Sequence, residues 1–206
     1  MTSGLFITLE GGDGSGKSTQ STILVEWLEQ AGRTVVTSRE PGGTDLGVEL
    51  RDIVLHRRGE IAPRAEALLY AADRAQNIAT KVRPALERGD VVVQDRYFDS
   101  SVAYQGAGRV LGPAEVRDVS LWATDGLVPD LTVLLDLHEA ISMSRVAEAS
   151  SQYDRLEAEK QEFHSRVRSA YLELAANEPD RFVVIDAREP VDEIAARIQA
   201  RVATLL

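Results

Sequence analysis

The residue types and spacing with the clearest chemical meaning in this chain are those of Gly11, Gly16, Lys17 and Ser18, which match the pattern G-x-x-x-x-G-K-[ST]. Glycines let a loop bend close to a ligand, so that successive backbone N–H groups and the N-terminus of a following helix bind phosphate oxygens. The lysine of such a loop reaches the β- and γ-phosphates, and the serine hydroxyl binds Mg²⁺. The predicted nucleoside triphosphate site comprises Gly11, Gly12, Asp13, Gly14, Ser15, Gly16, Lys17, Ser18 and Thr19.

The elements on either side of this loop have the order that the pattern requires. Residues 5–9 are apolar strand formers, and residues 19–30 carry apolar side chains at helical spacing. The alternative, a glycine-rich turn that matches by chance, would require both flanking elements to coincide as well. GTPases, motor ATPases and small-molecule kinases all use this loop, so the pattern predicts the site and leaves the reaction open.

A charged pair, Asp95-Arg96, follows shortly after the β-branched run at residues 91–93. Such a run indicates a central strand buried on both faces, and open α/β sheets bind their ligands at the carboxyl ends of their strands. We therefore expect a carboxylate near the metal or acceptor and a guanidinium that binds phosphates. The alternative is a solvated strand end without a ligand.

The elements that must position these residues alternate along the chain. Further strands are predicted at 34–37, 131–135 and 181–186, and this alternation with helices favours an α/β fold with a parallel sheet. Predicted helices cover residues 45–57, 64–87, 113–124, 139–147 and 191–202. The segment 98–108 is expected to be short and polar.

A polar interruption at residues 150–152 precedes a charged helix predicted to begin near Asp154. We expect a mobile lid at about 148–160, within a single domain that spans residues 1–206. A plain solvated helical hairpin is the alternative.

The composition excludes several classes of function. The net charge of −10 disfavours nucleic acid and anionic membrane surfaces as partners, so local arginines and backbone amides must hold an anionic ligand. The chain has no cysteine, which excludes disulfides and thiolate sites. Because neither a signal segment nor a membrane-spanning run is found, we expect a cytoplasmic protein without a membrane partner.

Several further motifs appear in a fixed order, and together they resemble bacterial thymidylate kinases, a family of P-loop nucleoside monophosphate kinases. The resemblance covers nearly the whole chain, and the ordered series is far more specific than the phosphate loop alone. The motifs are residues 11–20 (GGDGSGKSTQ), 39–44 (REPGGT), 70–76 (YAADRAQ), 95–97 (DRY) and 101–106 (SVAYQG).

The resemblance implies a P-loop kinase fold, in which helices flank a five-stranded parallel sheet and a short helical lid is present. It also implies transfer of the γ-phosphoryl group of ATP to dTMP with Mg²⁺. The products are dTDP and ADP, as in dTTP biosynthesis. Members of the family are usually homodimers, so ATP, dTMP and a second copy of the chain are the expected partners.

The resemblance also assigns roles in acceptor binding. Asp13 would face the acceptor sugar and its metal-bound phosphate, Arg96 would hold the acceptor phosphate, and Tyr70 would stack on thymine. Arg74 would hydrogen-bond the base, and Tyr104 would lie where a ribose carries its 2′-hydroxyl. Asn77 stands where relatives commonly have histidine. The expected acceptor-binding residues are Asp13, Arg39, Tyr70, Arg74, Arg96, Ser101, Tyr104 and Gln105.

Phosphoryl transfer depends mainly on positioning and charge stabilisation, and it needs no covalent nucleophile. Ser18 and Asp95 are the expected metal ligands.

The D-R-x-E segment at residues 154–157 resembles the one that supplies a lid arginine, here Arg155, in bacterial members. Arg145 is the second candidate and is expected to flank the adenine of ATP. The expected catalytic residues are Lys17, Arg96, Asp13, Asp95 and Arg155.

Two other functions are compatible with the phosphate loop. One is a kinase for a different acceptor, such as another nucleoside monophosphate or a deoxynucleoside, and the acceptor residues given above distinguish it. The other is a nucleotide-hydrolysing switch or motor. A guanine-specific switch carries an N-K-x-D run, and this sequence has none.

Overall fold

The computed structural model of the chain describes residues 4–57, 59–149 and 154–206. In this part of the chain, five strands pair in parallel in the order β2-β3-β1-β4-β5. The strands are β1 (Leu5–Glu10), β2 (Val35–Arg39), β3 (Val91–Asp95), β4 (Leu131–Asp136) and β5 (Phe182–Asp186). The predicted α/β fold with a parallel sheet is therefore confirmed.

Helices cover both faces of this sheet. They are α1 (Lys17–Gln30), α2 (Asp45–His56), α3 (Pro63–Asn77), α4 (Arg83–Glu87), α5 (Phe98–Ser101), α6 (Pro113–Ala123), α7 (Glu139–Ala149), α8 (Gln161–Asn177) and α9 (Val191–Ala203). No helix in the described ranges has the length and apolar character needed to cross a membrane.

The alternation of side chains along β1 separates the apolar core from the polar groups that lie near the site. Ile7 and Leu9 point toward one face, where they pack with Leu24 and Leu28 of α1. Phe6 packs in a separate apolar cluster. Because side chains alternate along a strand, Glu10 shares the face of Phe6, and it is fully buried at the carboxyl end of β1.

The segment 98–108 differs from the prediction. It is a buried helical segment in which α5 continues into a π-helical stretch, Val102–Gly108, and it is not merely short and polar. Its polar side chains are buried because they hydrogen-bond to charged groups from other elements. Gln105, for example, donates to Glu66 of α3 over 2.8 Å. Sequence polarity alone does not distinguish such a segment from a surface loop.

Two predicted helices also have different bounds. The helix expected over 64–87 contains a π-helical stretch, Ile78–Val82, just before Pro84, which has no N–H group for a helical hydrogen bond. The helix expected to begin near Asp154 begins at Gln161 instead. Asp154 Oδ1 accepts the N–H groups of Leu156 and Glu157 over 2.8 Å each, which stabilises a turn before α8. The predicted lid lies partly outside the described residues, at 150–153.

Candidate active site

The loop between β1 and α1 requires glycine for its backbone conformation and its close packing. Gly11, Gly14 and Gly16 have φ angles of 133°, 72° and 93°, which side chains disfavour. A side chain at Gly11 would also collide with the carbonyl oxygen of Leu135 in β4. The loop therefore lies against the end of β4 and leads into the N-terminus of α1, where free N–H groups and the helix dipole favour anions.

Lys17 is buried at the first position of α1, and its ammonium group lies against the loop. Nζ donates to the carbonyl oxygens of Gly11 over 3.1 Å and of Gly12 over 2.9 Å. Burial and the nearby Arg96 lower the pKa of Lys17, although Asp13 opposes this shift. These contacts hold a cation beside the predicted phosphate site before any nucleotide is present.

Lys17, Ser18 and Asp95 line one open cleft beside the loop, which we call the donor cleft. Asp95 Oδ1 is shielded from solvent and makes no hydrogen bond within the described chain. In the same part of the chain, no group of three or more His, Cys, Asp or Glu residues is arranged to hold a metal. A hydroxyl and a carboxylate beside bound phosphates nevertheless fit Mg²⁺, which binds few protein ligands together with phosphate oxygens and water.

Arg96 and Asp13 form an ion pair at the rim of this cleft, with 2.5 Å between Arg96 Nη2 and Asp13 Oδ1. Arg96 follows Asp95 at the end of β3 with a φ of 66°, a left-handed conformation that non-glycine residues rarely adopt. Burial would raise the pKa of Asp13, but Arg96 and Lys17 outweigh burial and lower it. Asp13 is therefore a carboxylate at neutral pH and can act only as an acceptor of hydrogen bonds.

A second cavity adjoins the donor cleft, and we call it the acceptor cavity. Its walls include Tyr70, Arg74 and Tyr104. Asp13 and Arg96 line both the donor cleft and this cavity, so the ion pair stands where the two spaces meet. A phosphoryl group could therefore pass from a ligand in one space to a ligand in the other beside the Arg96 guanidinium group.

Arg74 is held at the acceptor cavity by a network of buried hydrogen bonds, and only 1% of the residue is exposed. Its Nε donates to Glu40 Oε2 over 2.8 Å, and its Nη1 donates to Ser120 Oγ over 3.1 Å. Its Nη2 donates to Ser101 Oγ over 3.0 Å and to the Tyr97 carbonyl over 3.3 Å. The guanidinium group is thus fixed in place before a ligand enters.

Glu40 is the buried partner of Arg74 and also receives two side-chain amides. Asn77 Nδ2 donates to Glu40 Oε1 over 3.1 Å, and Gln94 Nε2 donates to the same oxygen over 3.0 Å. Burial raises the pKa of Glu40 to about 7 even though Arg74 opposes this shift. Asn77, whose role the sequence left open, therefore helps to hold the carboxyl group that positions Arg74.

Comparison with known proteins shows the family of this chain. A family model described as thymidylate kinase matches residues 9–198. The thymidylate kinase of Leifsonia xyli subsp. xyli is 70% identical over 96% of this chain and 94% of its own length. That of Deinococcus radiodurans is 52% identical over 98% of each chain. The chain belongs to the thymidylate kinase family.

The fold is shared with solved members of the family as well. The crystal structure of thymidylate kinase from Ehrlichia chaffeensis matches with a TM-score of 0.81 at 28% sequence identity. The match covers 98% of this chain and 99% of that one. The predicted P-loop kinase fold is thereby confirmed, as is the resemblance to bacterial thymidylate kinases.

Most of the acceptor-binding residues expected of a thymidylate kinase come together in this structure. All of them except Arg39 line the acceptor cavity. Arg39 lies at the exposed end of β2 and lines the donor cleft, where its Nε donates to the Gly42 carbonyl over 3.4 Å. The structure therefore does not bring Arg39 into the acceptor cavity.

Tyr104 lies between the acceptor cavity and the ion pair. The Arg96 guanidinium is 5.2 Å from the centre of its ring, and the hydroxyl is 3.5 Å from both Arg96 Nη2 and Asp13 Oδ2. Burial is the main cause that raises the pKa of Tyr104, so the phenol stays neutral. An apolar ring and a polar hydroxyl thus face the same junction.

The two candidate lid arginines occupy different places. Arg145 lies beside the phosphate loop, and its Nη1 donates to the carbonyl oxygens of Gly14 over 3.2 Å and Ala187 over 3.3 Å. Arg155 lines neither cavity. Its Nε donates to the Val54 carbonyl over 2.9 Å, and its Nη2 lies 2.5 Å from Glu66 Oε2 without hydrogen-bond geometry. Of the two candidate arginines, Arg145 is thus the one nearer the phosphate loop in this conformation.

Sequence reasoning missed Arg51 and gave no role to Glu40 within its motif. Arg51 lines both cavities, and its Nη1 donates to the Pro41 carbonyl over 2.9 Å. It stands on α2 among apolar residues that explain the helix, and nothing in their spacing marks it. Only the position of α2 beside the REPGGT segment brings this guanidinium to the site.

Proposed function

We propose that this chain transfers the γ-phosphoryl group of ATP to dTMP and releases dTDP and ADP, as its membership of the thymidylate kinase family indicates. The observation that carries the proposal is the shared wall of the two cavities at Asp13 and Arg96. ATP would bind along the phosphate loop with its γ-phosphate toward this wall. The acceptor phosphate of dTMP would reach the same wall from the other side.

On the donor side, the amides of residues 11–17, the N-terminus of α1 and Lys17 would bind the phosphates of ATP. Ser18 and Asp95 would hold Mg²⁺, which neutralises charge on the phosphate oxygens when it is bound. The unpartnered Oδ1 of Asp95 supports this assignment. Arg145, beside Gly14, would flank the adenine.

At the junction, Arg96 would bind the acceptor phosphate and orient it toward the γ-phosphorus. Asp13 holds this guanidinium through the 2.5 Å contact and needs little basicity, because the attacking phosphate is already an anion. The charge that develops on the transferred group would be stabilised by Arg96 and Lys17.

On the acceptor side, Tyr70 would stack on thymine, and Arg74 would hydrogen-bond the base with Ser101 beside it. Arg74 Nη1 makes one hydrogen bond to the protein, so one of its two N–H groups remains for a ligand. Gln105 would help to close the cavity around the nucleoside. Tyr104 would fill the space that a 2′-hydroxyl needs.

We further propose that residues 148–160 form a lid within one domain, and that closure brings Arg155 to the transferring group. Leaving its present place would break the contacts with Val54, Leu55 and Glu66. These are few compared with the contacts of a core arginine such as Arg74, which supports a movable arginine.

We also propose a homodimer. Leu68 of α3 is 59% exposed and Trp122 of α6 is 86% exposed. The two helices pack side by side, and Leu68 lines a groove between them together with Val116 and Val119 of α6. Sedimentation of the wild type and of Leu68→Glu tests this, because a charge in the interface should shift a dimer to monomers. An unchanged sedimentation coefficient in the variant would place the interface elsewhere.

The central proposal is tested by ADP release from ATP in the presence of each common nucleoside monophosphate. We expect dTMP to accelerate release more than any other acceptor, and Lys17→Ala to remove the activity. If another monophosphate accelerates release and dTMP does not, that monophosphate is the acceptor and the proposal is wrong. Acceptor-independent ADP release at the full rate would favour a hydrolysing switch or motor.

A further inference from the structure

Glu10 is the last residue of β1, the strand that leads into the phosphate loop, and its carboxyl group lies beside the chain at Arg96 and Tyr97. The reaction described above gives it no role. Its carboxyl group is fully buried and lines neither the donor cleft nor the acceptor cavity. Its nearest hydrogen-bond donors all belong to residues around Arg96. A buried carboxylate is costly unless its hydrogen bonds are satisfied, so these donors explain why it is tolerated.

The first contact of Glu10 concerns the backbone of Arg96. This residue has a φ of 66°, a left-handed conformation that is unfavourable for a non-glycine residue. Its own N–H donates to the Leu9 carbonyl over 3.0 Å, and the next N–H, that of Tyr97, donates to Glu10 Oε1 over 2.7 Å. Residues 9 and 10 of β1 therefore fix the chain on both sides of the Arg96 α-carbon.

The second set of contacts concerns the Arg96 guanidinium. Glu10 Oε2 accepts the hydroxyl groups of Ser100 over 2.6 Å and Tyr171 over 2.9 Å. The same two hydroxyl oxygens accept Arg96 Nη1 over 3.2 Å and 3.4 Å. A hydroxyl has one proton and two lone pairs, so protons directed at Glu10 leave lone pairs for Arg96.

The carboxylate decides this direction, because Ser100 and Tyr171 lie only 2.8 Å apart and could otherwise donate to each other. When Glu10 is ionised, which is the case above its raised pKa of about 7, both protons are committed to the carboxylate. Without it, one hydroxyl proton turns toward its neighbour or toward Arg96. The neighbouring charges do not replace Glu10, since Asp13 binds the other nitrogen, Nη2, and Asp99 pairs with Arg181.

We propose that Glu10 is a positioning residue that holds the backbone and the guanidinium of Arg96 for the acceptor phosphate, acting through the Tyr97 N–H group and the hydroxyls of Ser100 and Tyr171. This inference rests on the proposed phosphoryl transfer for its kinetic consequences. Its structural part, the order of the Arg96 side chain, does not depend on which acceptor is used.

The kinetic test compares Glu10→Gln with wild type, alone and in an Arg96→Ala background. We expect Glu10→Gln to lower kcat/KM for dTMP on the order of 10- to 100-fold, the loss typical of a misplaced group, and to leave KM for ATP nearly unchanged. In the Arg96→Ala background the same substitution should change kcat/KM less than about twofold, because its effect passes through Arg96. Equal losses in both backgrounds, or none in the first, would overturn the proposal.

The structural test uses the side-chain Nε–H NMR signal of Arg96 without nucleotides, assigned by its absence in Arg96→Ala. Glu10→Gln and Tyr171→Phe should shift and broaden this signal. Glu66→Gln, which removes another fully buried carboxylate with no contact to Arg96, should leave it in place. An unchanged signal in Glu10→Gln would overturn the proposal even if the wild-type protein proved to use an acceptor other than dTMP.

Discussion

The donor cleft and the acceptor cavity share the Asp13–Arg96 ion pair as part of their common wall, yet they are built in different ways. The donor side is centred on a short continuous loop that uses backbone amides and glycine conformations, and Lys17 lies against this loop. The acceptor side is built from side chains of α2, α3 and the segment after β3, and its central cation, Arg74, is buried with Glu40. Donor binding therefore depends on a few positions, whereas acceptor binding depends on a network in which each group holds another.

The largest effect is expected from Lys17→Ala, which separates the two regions. Removing the cation that we propose binds the β- and γ-phosphates should lower kcat by about 10²–10³-fold or more. Because Lys17 does not line the acceptor cavity, dTMP binding measured by calorimetry should stay within a few fold of wild type. Loss of dTMP binding together with turnover would show that the two regions are not independent.

A smaller effect on turnover is expected from the lid. Arg155→Ala should lower kcat about 10- to 100-fold, less than the 10³–10⁵ of the strongest arginine fingers, because Arg96 and Lys17 remain. KM for ATP should change little, since the contact strengthens only in the transition state.

Arg145→Ala is the matched variant, and it should mainly raise KM for ATP, since Arg145 lies beside Gly14. A near-wild-type kcat in Arg155→Ala, with a large loss in Arg145→Ala, would assign the catalytic role to Arg145. That result would also mean that the arginine that stabilises the transferred phosphoryl group lies beside the phosphate loop.

Substitution of Tyr104 tests how strongly the acceptor cavity discriminates between deoxyribose and ribose. Tyr104→Ala should bring the kcat/KM values of dUMP and UMP closer together by about 1–3 kcal/mol, because the proposed role of the phenol ring is to fill the space that a 2′-hydroxyl needs. Tyr104→Phe keeps the ring and should retain the discrimination. An unchanged ratio in Tyr104→Ala would remove the sugar-reading role from this residue.

Titration of the buried Glu40 beside the acceptor cavity should contribute to the pH dependence of the free energy of unfolding. Burial raises the pKa of Glu40 from 4.5 to about 7, so the folded protein binds a proton more tightly than the unfolded chain. The free energy of unfolding should therefore fall as pH rises through this window, by up to about 1.4 kcal/mol per pH unit for this carboxyl group.

Glu40→Gln cannot titrate, so its stability should fall less steeply than that of wild type between pH 4.5 and 7. Glu10, whose pKa burial and Asp99 also raise to about 7, should still contribute to the remaining slope. Denaturant unfolding at several pH values provides the measurement. Identical slopes in wild type and Glu40→Gln would contradict the buried titration.

The same contrast explains how much the sequence could predict. The phosphate loop is local in sequence, so its glycines, Lys17 and its flanking elements could be located without a structure. The strands were equally predictable, because parallel strands buried on both faces are continuous apolar runs. The resemblance then supplied acceptor residues such as Tyr70 and Tyr104, which spacing alone could not have found.

What the sequence could not predict are contacts between distant polar residues. Arg74 lies off the apolar stripe of its helix and would be placed in solvent, but Glu40, 34 residues away, makes its burial possible. Arg51 and Glu10 likewise acquire their surroundings only when separate elements meet. Periodicity reports which face of an element is apolar, and it gives no information on which buried polar groups satisfy each other.

The most direct test of the account follows the transferred group itself, using ATP labelled in its γ-phosphoryl group together with dTMP. If the two spaces meet at Asp13 and Arg96 as a phosphoryl-transfer site, the label should appear in dTDP in amounts equal to the ADP formed, with no more than a trace in inorganic phosphate. Label found mainly in inorganic phosphate, whether or not dTMP is present, would contradict transfer between the two cavities.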